Sequence, residues 1–567
     1  MEFDYVICGG GSAGCVMASR LSENPARRVL LIEAGRDIPP GSEPADVLDS
    51  YPMSAAFNPA YHWTQLRAGF AARAGNAPGD IPPPRFMEQA RIMGGGSTIN
   101  AQMANRGGRA DYDEWAALGA DGWGWDDVLP YFRKLETDLD FADPASHGAD
   151  GPIPIRRVPE DQWTAFSRAA AEALEKSGYR RLEDQNGPFA DGWFPVAISN
   201  RDEHRVSAAM GYLNAEVRRR PNLRIVAEAE VEALVFEGRR ATGVRYRRAG
   251  KVESVTAGEV IVCAGALRSP AILMRAGIGR AAHLRDHGIA VIADRPGVGA
   301  NLCEHPSLAV SAYIRSGARL TERRRRHVHV GFRYSSGMAD CGDQDMYISV
   351  TAKSAWHAVG LRLGSFLMWV NKPYSRGSVT LAGAGANAEP VVAFEMLSDR
   401  RDLERLKDGV RRSVALFGTP PLSEVATSAF PTSYSERVRR IGAVNLKNRI
   451  LTDMLGLLLD GPEPLRRAMI KGFITQGDDM DRMLADDALM EAWIRRSVAG
   501  TWHPSCTCRM GGVDDPMAVT DPAARVYGVE NLRVIDASIF PCVPRANTNI
   551  PVIMCAEKVA DAVKAGR

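Results

Sequence analysis

Residues 3–14 read FDYVICGGGSAG, and residues 29–33 read VLLIE. The apolar run before the glycines predicts a buried strand, and the residues after them predict a helix that ends near Leu21. The second apolar run, which ends at Glu33, predicts another buried strand. A glycine-rich turn between a strand and a helix, with an acidic residue about 20 positions later, is typical of dinucleotide-binding folds.

The glycines of this turn have a chemical purpose in such a fold. They allow the backbone to approach a pyrophosphate at the positive end of the helix. Glu33 can accept hydrogen bonds from ribose hydroxyls. A glycine-rich turn in an ordinary α/β protein is the alternative, but the full context favours an adenine dinucleotide. We therefore expect a Rossmann-like α/β domain at the N-terminus.

The size and charge of the chain narrow its class. A chain of 567 residues predicts two or more domains. Its 45% hydrophobic and 24% charged residues are typical of a soluble globular protein. The net charge of +2 gives no reason to expect nucleic acid as a partner. The run RRRR at 323–326, followed by His327 and His329, is expected in a solvated loop or edge, with an anion or partner contact as the alternative.

The cysteines and the N-terminus favour the cytoplasm. The nine cysteines are scattered and predict no disulfide framework, which fits a reducing compartment. The first strand begins at Phe3, which leaves no room for a secretory peptide. The spacing of Cys506 and Cys508 suits neither a usual zinc site nor a relaxed disulfide, and we expect no metal. No apolar stretch is long enough to span a bilayer.

Short strands and one closing helix are predicted beyond the N-terminus. The residues rich in proline and glycine at 75–84 predict a loop. A helix is predicted at 551–565, and a mixed segment follows residue 301 and runs to about 499. The further predicted strands lie at 223–226, 231–236, 242–247, 259–262 and 532–536.

Residues 439–473 contain a strongly apolar stretch flanked by basic side chains. Its apolar residues are Ile450, Leu451, Met454, Leu455, Leu457, Leu458 and Leu459. The flanking basic residues are Lys447, Arg449, Arg466, Arg467 and Lys471. We interpret the stretch as a lid or dimer helix over a substrate entrance. A basic amphipathic element at a membrane surface is the alternative interpretation.

Four further motifs resemble those of the glucose–methanol–choline (GMC) flavin oxidoreductases, and the resemblance extends nearly from end to end. ARIMGGGSTIN at 90–100 resembles the first signature of that family. GALRSPAILMRAGIG at 265–279 resembles the second, with Ala276 where the family usually has serine. WHPSCTCRMG at 502–511 and RANTNIP at 545–551 resemble the active-site segments.

Three stretches narrow the resemblance within the family. They are RADYDEW at 109–115, DGWGW at 121–125 and WVNKP at 369–373. These resemble bacterial 5-hydroxymethylfurfural oxidases and the related pyridoxine and aryl-alcohol oxidases. The resemblance implies an α/β fold with an FAD-binding domain at 1–300, a sheet-containing substrate domain at 301–499 and a return to the FAD domain at 500–567.

The resemblance implies FAD as the cofactor. Some relatives anchor the flavin through a histidine directly before Asn100; here that residue is Ile99, so we expect FAD to be held non-covalently. The GGGS run at 94–97 offers successive N–H groups to a pyrophosphate or a flavin edge, with a bare tight turn as the alternative. The residues implied in cofactor binding are Gly9, Gly11, Ser12, Ala13, Gly14, Glu33, Ala34, Trp63, Met93, Gly95, Asn100, Ala101, Val231, Ala264, Asp536, Ala537, Asn547 and Thr548.

His503 and Asn547 are the predicted catalytic residues. Oxidation of an alcohol removes a proton from its hydroxyl, and a neutral imidazole is suited to accept that proton. Asn547 lies where the family has a second His or Asn beside the flavin, and its amide can orient the substrate hydroxyl. Capping of the helix that begins near Pro551 is the alternative role of Asn547. The other nine histidines are expected to be structural or exposed.

Trp369, Val370 and Trp502 are candidate walls of the substrate pocket, by analogy with the furfural-oxidase-like group. An indole beside the base favours a flat aromatic or furanic substrate, whereas ordinary core packing is the alternative role of these residues. Cys506 occupies a position where relatives usually have glycine, and its side chain is expected to narrow the pocket or shift the His503 loop.

The predicted reaction is the FAD-dependent oxidation of a primary aromatic, furanic or heteroaromatic alcohol to the aldehyde, with O2 as acceptor. A second oxidation to the acid is expected if the hydrated aldehyde also fits. The alternatives are a dehydrogenase that uses a quinone or protein acceptor, and a hydroxynitrile lyase with redox-silent FAD. The identity of the alcohol and the oligomeric state stay open.

Overall fold

The computed structural model describes residues 2–72, 81–321, 325–432 and 434–567. Within these ranges, buried apolar side chains form two large cores. The first core surrounds the N-terminal strand, and the second lies against an antiparallel sheet. Most of the loop predicted at 75–84 lies outside the described residues, as do Arg323 and Arg324 of the basic cluster.

The first core contains the predicted dinucleotide-binding sheet. Its central strand, Glu2–Cys8, pairs in parallel with Val29–Ile32 on one side and with Lys251–Val262 on the other. Strands of this kind are apolar along their length because both faces of the sheet are covered. In order, the strands are Leu223–Val226, Val29–Ile32, Glu2–Cys8, Lys251–Val262, Arg240–Arg248 and Ala229–Glu237, with Leu532–Val534 paired to Lys251–Val262.

The sequence places these strands well, and only one of their boundaries differs by more than two residues. The strand predicted at 259–262 begins earlier, at Lys251. Its first half is largely exposed and pairs in a hairpin with Arg240–Arg248. An exposed hairpin has little apolar character, so the apolar run marks only the buried end of the strand. The α/β fold class predicted from the sequence is confirmed.

The second core lies on one face of an antiparallel sheet, which we call the roof sheet. Its strands are, in order, Ala426–Thr432, Ser307–Ile314, Leu363–Val370, Met346–Thr351, Val328–Tyr334 and Gly192–Pro195. Helices Ala165–Lys176 and Arg400–Phe417 pack on this sheet. Alternate side chains such as Ser311, Ser349 and Ser365 instead line a large cavity, as the two-residue period of a strand requires.

Smaller elements complete the fold. Short sheets contain Ser378–Thr380, Val391–Met396, Arg67–Ala71 and Arg85–Phe86; Glu136–Asp138, Ile153–Arg156, Ile198–Arg201 and His204–Arg205; and Ile278–Gly279 with Ala293–Asp294. The remaining helices are Ser12–Leu21, Ala45–Leu48, Met53–Ala56, Gly96–Ile99, Arg109–Ala117, Trp125–Leu135, Ala208–Tyr212, Ala215–Arg218, Ser269–Arg275, Ala281–Asp286, Leu422–Val425, Met480–Ala485, Asp487–Ser497 and Asn549–Lys564.

The apolar stretch at 439–473 is helical. It contains Glu436–Gly442, Leu446–Leu459, Glu463–Met469 and the π-helix Ile470–Ile474. One face of Leu446–Leu459 is buried, but most of its apolar side chains face solvent. The exposed ones are Leu446, Ile450, Leu451, Met454, Leu457 and Leu458. None of the helices within the described ranges has the length and hydropathy needed to cross a bilayer.

The two cores are interleaved along the chain. Gly192–Pro195 and Ala165–Lys176 belong to the second core although they precede residue 301. Leu532–Val534 and Asn549–Lys564 return to the first core. A division of the chain at residue 301 therefore leaves part of the roof sheet on the N-terminal side.

The basic cluster at 323–326 differs from its expectation. Arg325 is exposed and pairs with Asp49 at 2.6 Å, but Arg326 is buried, with 3% of its surface exposed. His327 and His329 are buried as well, because they lie at the start of the strand Val328–Tyr334, which is buried along its whole length. The prediction of a solvated loop or edge is therefore wrong for Arg326, His327 and His329.

Candidate active site

A cavity of about 990 Å³ lies between the glycine turn and the roof sheet. Its wall includes Gly11 and Ser12 at one end, His503 and Asn547 further along, and Lys353 under the roof sheet. Ligand pockets commonly enclose about 300–1,000 Å³, so this cavity lies at the upper end of that range. One cavity therefore holds both the predicted cofactor residues and the predicted catalytic pair.

The glycine turn is shaped for close backbone packing. Gly9 has a φ of +113°, and a Cβ atom there would lie 2.5 Å from the Cys263 carbonyl oxygen. A Cβ atom on Gly14 would lie 1.9 Å from the Gly9 carbonyl oxygen. These contacts hold the turn between the first strand and Ser12–Leu21, whose N-terminal N–H groups then face the cavity.

Glu33 stabilises this turn directly. One carboxylate oxygen accepts from the N–H of Gly10 and the other from the N–H of Gly35, each at 2.7 Å. Burial raises the pKa of Glu33, and the two backbone donors partly offset that shift. Glu33 also lies on the cavity wall, where a ribose hydroxyl can reach it. The acidic residue thus supports the turn as well as lining the site.

The second glycine run lies against the first. The N–H of Gly94 donates to the Gly10 carbonyl oxygen at 2.7 Å, and that of Gly95 donates to Ile92 at 2.8 Å. These two N–H groups therefore do not wrap a cofactor, contrary to the simplest form of the prediction. Gly95 has a φ of +54°, and a Cβ atom there would lie 2.8 Å from Gly11. Only glycine permits this approach of the two turns.

Asp536 connects the C-terminal region to the same wall. Its side chain accepts from the N–H of Gly265 at 2.9 Å and from the hydroxyl of Ser269 at 2.6 Å. Near by, the Ser12 hydroxyl donates to Asn549 at 2.8 Å, which joins the starts of Ser12–Leu21 and Asn549–Lys564. Residues from the first and last parts of the chain therefore form one wall of the cavity.

Most of the predicted cofactor residues line the cavity. Those on its wall are Gly9, Gly11, Ser12, Ala13, Glu33, Ala34, Trp63, Gly95, Asn100, Ala101, Val231, Ala264, Asp536, Ala537, Asn547 and Thr548. Gly14 and Met93 do not line it, because Gly14 packs against Gly9 and Met93 is fully buried in the first core. We call the two adjacent glycine turns, at 9–14 and 94–97, the glycine cradle. This cradle, the start of the helix Ser12–Leu21 and the size of the cavity fit an adenine dinucleotide.

His503 presents one ring nitrogen to the cavity side and the other to the protein. Its Nε2 lies 3.0 Å from the Asn547 amide nitrogen. Its Nδ1 lies 2.7 Å from the Thr501 hydroxyl and 2.9 Å from His305 Nδ1. Because an amide nitrogen donates, Nε2 has the lone pair and the ring proton is on Nδ1. Burial, with the nearby His305 ring, lowers the pKa of His503 well below its usual range.

Asn547 orients this ring and does not cap a helix. The last helix begins at Asn549, and its N-cap position is Thr548. The backbone N–H of Asn547 donates to the Asn105 side chain at 3.2 Å, which holds the residue in place. Its side-chain oxygen is buried without a partner among the described residues. A buried acceptor of this kind, next to Nε2, is suited to a substrate group.

Glu304 holds the loop that carries His503. Its carboxylate accepts from the backbone N–H groups of His503 at 2.7 Å, His305 at 2.8 Å and Thr501 at 3.2 Å. Burial raises the pKa of Glu304 to about 7. A Cβ atom on Gly500 would lie 2.7 Å from this carboxyl group, so the close packing requires glycine there.

Glu304, His305 and Thr501 also belong to the site, and none of them is predicted from the sequence. The other nine histidines are expected to be structural or exposed; His305 is fully buried and contacts His503 directly. Burial lowers the pKa of His305 to about 3, so the ring is neutral. The sequence did contain a sign of this arrangement, since His305-Pro306 repeats the dipeptide His503-Pro504.

The three residues predicted as pocket walls do not all line the cavity. Trp502 and Trp369 line the cavity. Trp502 is 39% exposed and donates to Glu88 at 3.1 Å, whereas Trp369 is buried and stacks on Tyr347 with 4.2 Å between ring centroids. Val370 does not line the cavity, because the alternation of the strand Leu363–Val370 turns it into the second core.

Cys506 does not narrow the cavity. It is fully buried and absent from the cavity wall, and its Sγ lies 3.4 Å from the Ser505 hydroxyl. Its φ of +73° lies in the left-handed region that favours glycine, as does the φ of +61° at Trp502. The backbone of the loop, rather than the shape of the pocket, explains why glycine is favoured at position 506.

Comparisons with known proteins cover nearly the whole chain. Family models described as GMC oxidoreductase match residues 3–307 and 373–556. The chain is 43% identical to a 5-(hydroxymethyl)furfural oxidase of Methylovorus sp., across 99% of this chain and 98% of that protein. It is 31% identical to an oxygen-dependent choline dehydrogenase of Chromohalobacter salexigens, across 99% and 95%. A crystal structure of pyridoxine 4-oxidase from Mesorbium loti superposes with a TM-score of 0.79 at 29% identity and covers 99% of each chain.

Proposed function

This chain belongs to the GMC oxidoreductase family, and we propose that it oxidises a primary aromatic, furanic or heteroaromatic alcohol to the aldehyde, with FAD held non-covalently and O2 as acceptor. The convergence of His503 Nε2 and the Asn547 amide in the cofactor cavity is the observation that carries this proposal. Members of the family bind FAD, and the glycine cradle described above fits that cofactor.

Bound FAD supplies the hydride acceptor. Residues of the chain accept the proton that leaves the alcohol hydroxyl. Because burial lowers the pKa of His503, the ring is neutral at the pH of an ordinary assay and its Nε2 can accept a proton. A hydroxyl group that enters beside Nε2 donates to His503 and accepts from the Asn547 amide. Asn547 therefore stabilises the negative charge that develops on the hydroxyl oxygen, and it does not compete with His503 for the proton.

The protonated ring of His503 needs compensation because it is buried. Its Nδ1–H stays bonded to the Thr501 hydroxyl and His305 Nδ1, while the proton taken up by Nε2 faces the substrate oxygen that released it. Single ligand atoms of Glu304, His305 and His503 lie within 4.8 Å of one another. The Glu304 carboxylate therefore lies close enough to stabilise the positive charge while it is present.

The cavity wall favours a flat substrate. Trp502 lies beside His503 in the chain, and its indole meets the Tyr434 ring edge-on at 5.5 Å between centroids. Tyr434 in turn donates to Glu88, which also accepts from Trp502. Aromatic pairs contribute about 0.5–1.5 kcal/mol beyond area burial, so a ring-bearing alcohol is favoured over an aliphatic one. Similarity to a 5-(hydroxymethyl)furfural oxidase and to pyridoxine 4-oxidase supports the same class of substrate.

Ile99 supports non-covalent attachment. It lies on the cavity wall directly before Asn100 and offers only an aliphatic side chain. After acid precipitation of the purified protein, we expect the flavin absorbance in the supernatant. Flavin that stays with the pellet would contradict this part of the proposal.

The reaction is tested with a panel of benzylic, furanic, pyridine-type and aliphatic alcohols. We expect aromatic and furanic members to bleach the flavin without oxygen and to produce hydrogen peroxide in air. Aliphatic alcohols of equal size serve as the matched control and are expected to react more slowly. A failure of every alcohol to bleach the flavin would overturn the proposal and leave a redox-silent lyase as the candidate.

A dehydrogenase that uses a quinone or a protein acceptor is the second candidate. The exposed apolar face of Leu446–Leu459 favours it, because this face would suit a partner's docking surface. Bleaching by an alcohol without peroxide in air, together with rapid dye reduction, would select this candidate. The roles of this segment as lid, dimer helix or membrane-surface element stay predictions.

The domain limits and the location also stay predictions. The strand pairing supports an FAD domain built mainly from 1–300 and 500–567 and a substrate domain mainly at 301–499, with Gly192–Pro195 on the substrate side. All nine cysteines are unpaired, which supports the predicted cytoplasmic location.

A further inference from the structure

We propose that the end of the cavity formed by His327, Ser349 and Lys353 binds a carboxylate carried by the alcohol substrate on an extended chain. This inference rests on the proposed alcohol oxidation, because it concerns the distal end of the same cavity. All three side chains lie on the cavity wall that also includes His503.

Lys353 is a buried cation without an anionic partner. Only 7% of its surface is exposed. Its ammonium lies 3.8 Å from the centroid of the Tyr51 ring, which is a cation–π contact. Among the described residues, no carboxylate or hydrogen-bond acceptor is paired with it. A charge removed from water without a partner is costly, so the site favours a ligand that supplies the counter-charge.

Three buried polar groups also lack partners in the part of the chain that the structure describes. They are His327 Nδ1 and Ser349 Oγ, both on residues of the cavity wall, and the hydroxyl of Tyr51, whose ring contacts Lys353. Buried polar groups almost always form hydrogen bonds. The two unpartnered groups on the cavity wall therefore point to a polar ligand.

The surrounding charges select an anion. The Tyr51 ring lies 5.0 Å from the His327 ring and 3.8 Å from the Lys353 ammonium, and the charges of Arg326 and Lys353 both lower the pKa of His327. The buried Arg326 guanidinium has no hydrogen-bond partner among the described residues. Asp49, a nearby acid, is engaged by Arg325 in two hydrogen bonds of 2.7 and 2.6 Å. Neither Arg326 nor Lys353 therefore forms an ion pair with a carboxylate among the described residues.

The distance to His503 sets the length of the ligand. Ser307, two residues from His305, pairs with Trp369, which pairs with Tyr347. Thr351 lies four residues further along the same strand as Tyr347 and two residues before Lys353. At about 3.3 Å per residue, the Thr351 end of the strand lies roughly 13 Å along the roof sheet from the Trp369 end, and Lys353 follows beyond it. A carboxylate attached directly to the ring of a small alcohol would not reach it.

The experiment uses 4-(hydroxymethyl)phenylalkanoates of increasing chain length, each paired with its methyl ester. For the wild-type holoenzyme we expect the acid-to-ester ratio of kcat/KM to rise with chain length. In Lys353→Met this ratio falls about 10- to 100-fold, as expected for loss of a charge-assisted hydrogen bond. Lys353→Arg keeps the preference, and Lys251→Met, at an exposed strand end, is the matched control.

A direct measurement separates binding from catalysis. The corresponding 4-methylphenylalkanoates cannot be oxidised at a hydroxyl, and calorimetry measures their affinity for wild type and Lys353→Met. Esters that are oxidised without any preference for the acids overturn this inference alone. An acid preference that survives in Lys353→Met also overturns it. Oxidation of neither acids nor esters overturns the proposed function itself.

Discussion

His305 Nδ1 lies 2.9 Å from His503 Nδ1, and the two rings meet at 84°. Two lone pairs would repel at this distance, so one N–H lies between the nitrogens. Because the Asn547 amide donates to the opposite nitrogen of His503, this proton belongs to His503. His305 therefore selects the tautomer in which His503 Nε2 carries the lone pair and acts as the acceptor.

Replacement of His503 should abolish most of the chemistry and leave the cofactor in place. We expect His503→Ala to lower the rate of anaerobic flavin reduction by about 10²- to 10⁴-fold, the usual contribution of a general base. Flavin content should match wild type, because the glycine cradle is unchanged. Stopped-flow absorbance measures the rate, and wild-type reduction rates in the variant would contradict the assignment.

His305 should act as a positioning residue. We expect His305→Ala to lower kcat about tenfold with little change in KM, because the tautomer of His503 is no longer selected. His305→Asn, whose amide oxygen can replace Nδ1 as acceptor, should recover part of the rate. The exposed His204→Ala is the control. An equal loss in the Ala and Asn variants would indicate a packing role only.

Glu304 should make the stability of the protein depend on pH. Burial raises its pKa to about 7, so folding favours the protonated carboxyl group. This contribution is complete below the unfolded pKa near 4.5 and is lost as pH rises through about 7, about 3 kcal/mol in all. Thermal unfolding of wild type and Glu304→Gln between pH 4.5 and 8.5 measures it. The wild type should lose stability relative to the variant, and parallel curves would contradict this.

Gly9 should be essential for cofactor binding. A methyl group there would lie 2.5 Å from the Cys263 carbonyl oxygen, in a backbone conformation that L side chains rarely adopt. We expect Gly9→Ala to be purified with little flavin, as measured by absorbance. Gly472→Ala, which meets no atom within 4 Å, is the matched control and should keep its flavin. Equal flavin content in both variants would refute the cradle.

The preference for carboxylates should disappear at high pH. Burial and the charge of Arg325 lower the pKa of Lys353 to about 8, while Asp49 opposes this shift. His327 and His357 also face this lysine, and both have pKa values lowered by burial, so they stay neutral. The lysine is charged below its pKa, and the acid-to-ester ratio should fall between pH 7 and 9. A ratio independent of pH would separate the preference from Lys353.

The sequence predicts the fold better than the site. The strands around Glu2–Cys8 and the turn at 9–14 are predictable because buried parallel strands and glycine turns leave strong local patterns. The cavity-lining alternation in the roof sheet is less visible, since serines occupy many of its inward positions. Analogy with the furfural-oxidase-like group places Val370 in the pocket. Only the register of its strand shows that its side chain points away from the cavity.

Within the site, motif residues are predictable and their partners are not. His503 and Asn547 occur in recognisable segments. Glu304 and His305 reach His503 across about 200 residues of sequence, through tertiary pairing that no local pattern contains. Cys506 shows the reverse case: its backbone conformation, which the sequence does not reveal, determines its role.

The pairing of Leu532–Val534 with Lys251–Val262 has a consequence for biosynthesis. The strand that completes the nucleotide-binding sheet, the base and its amide partner all leave the ribosome in the last seventy or so residues. While the rest of the chain is translated, the edge of Lys251–Val262 that pairs with Leu532–Val534 therefore stays unpaired. Flavin capture and acquisition of activity should accordingly be late, simultaneous events, and a nascent chain stalled before residue 530 should hold neither.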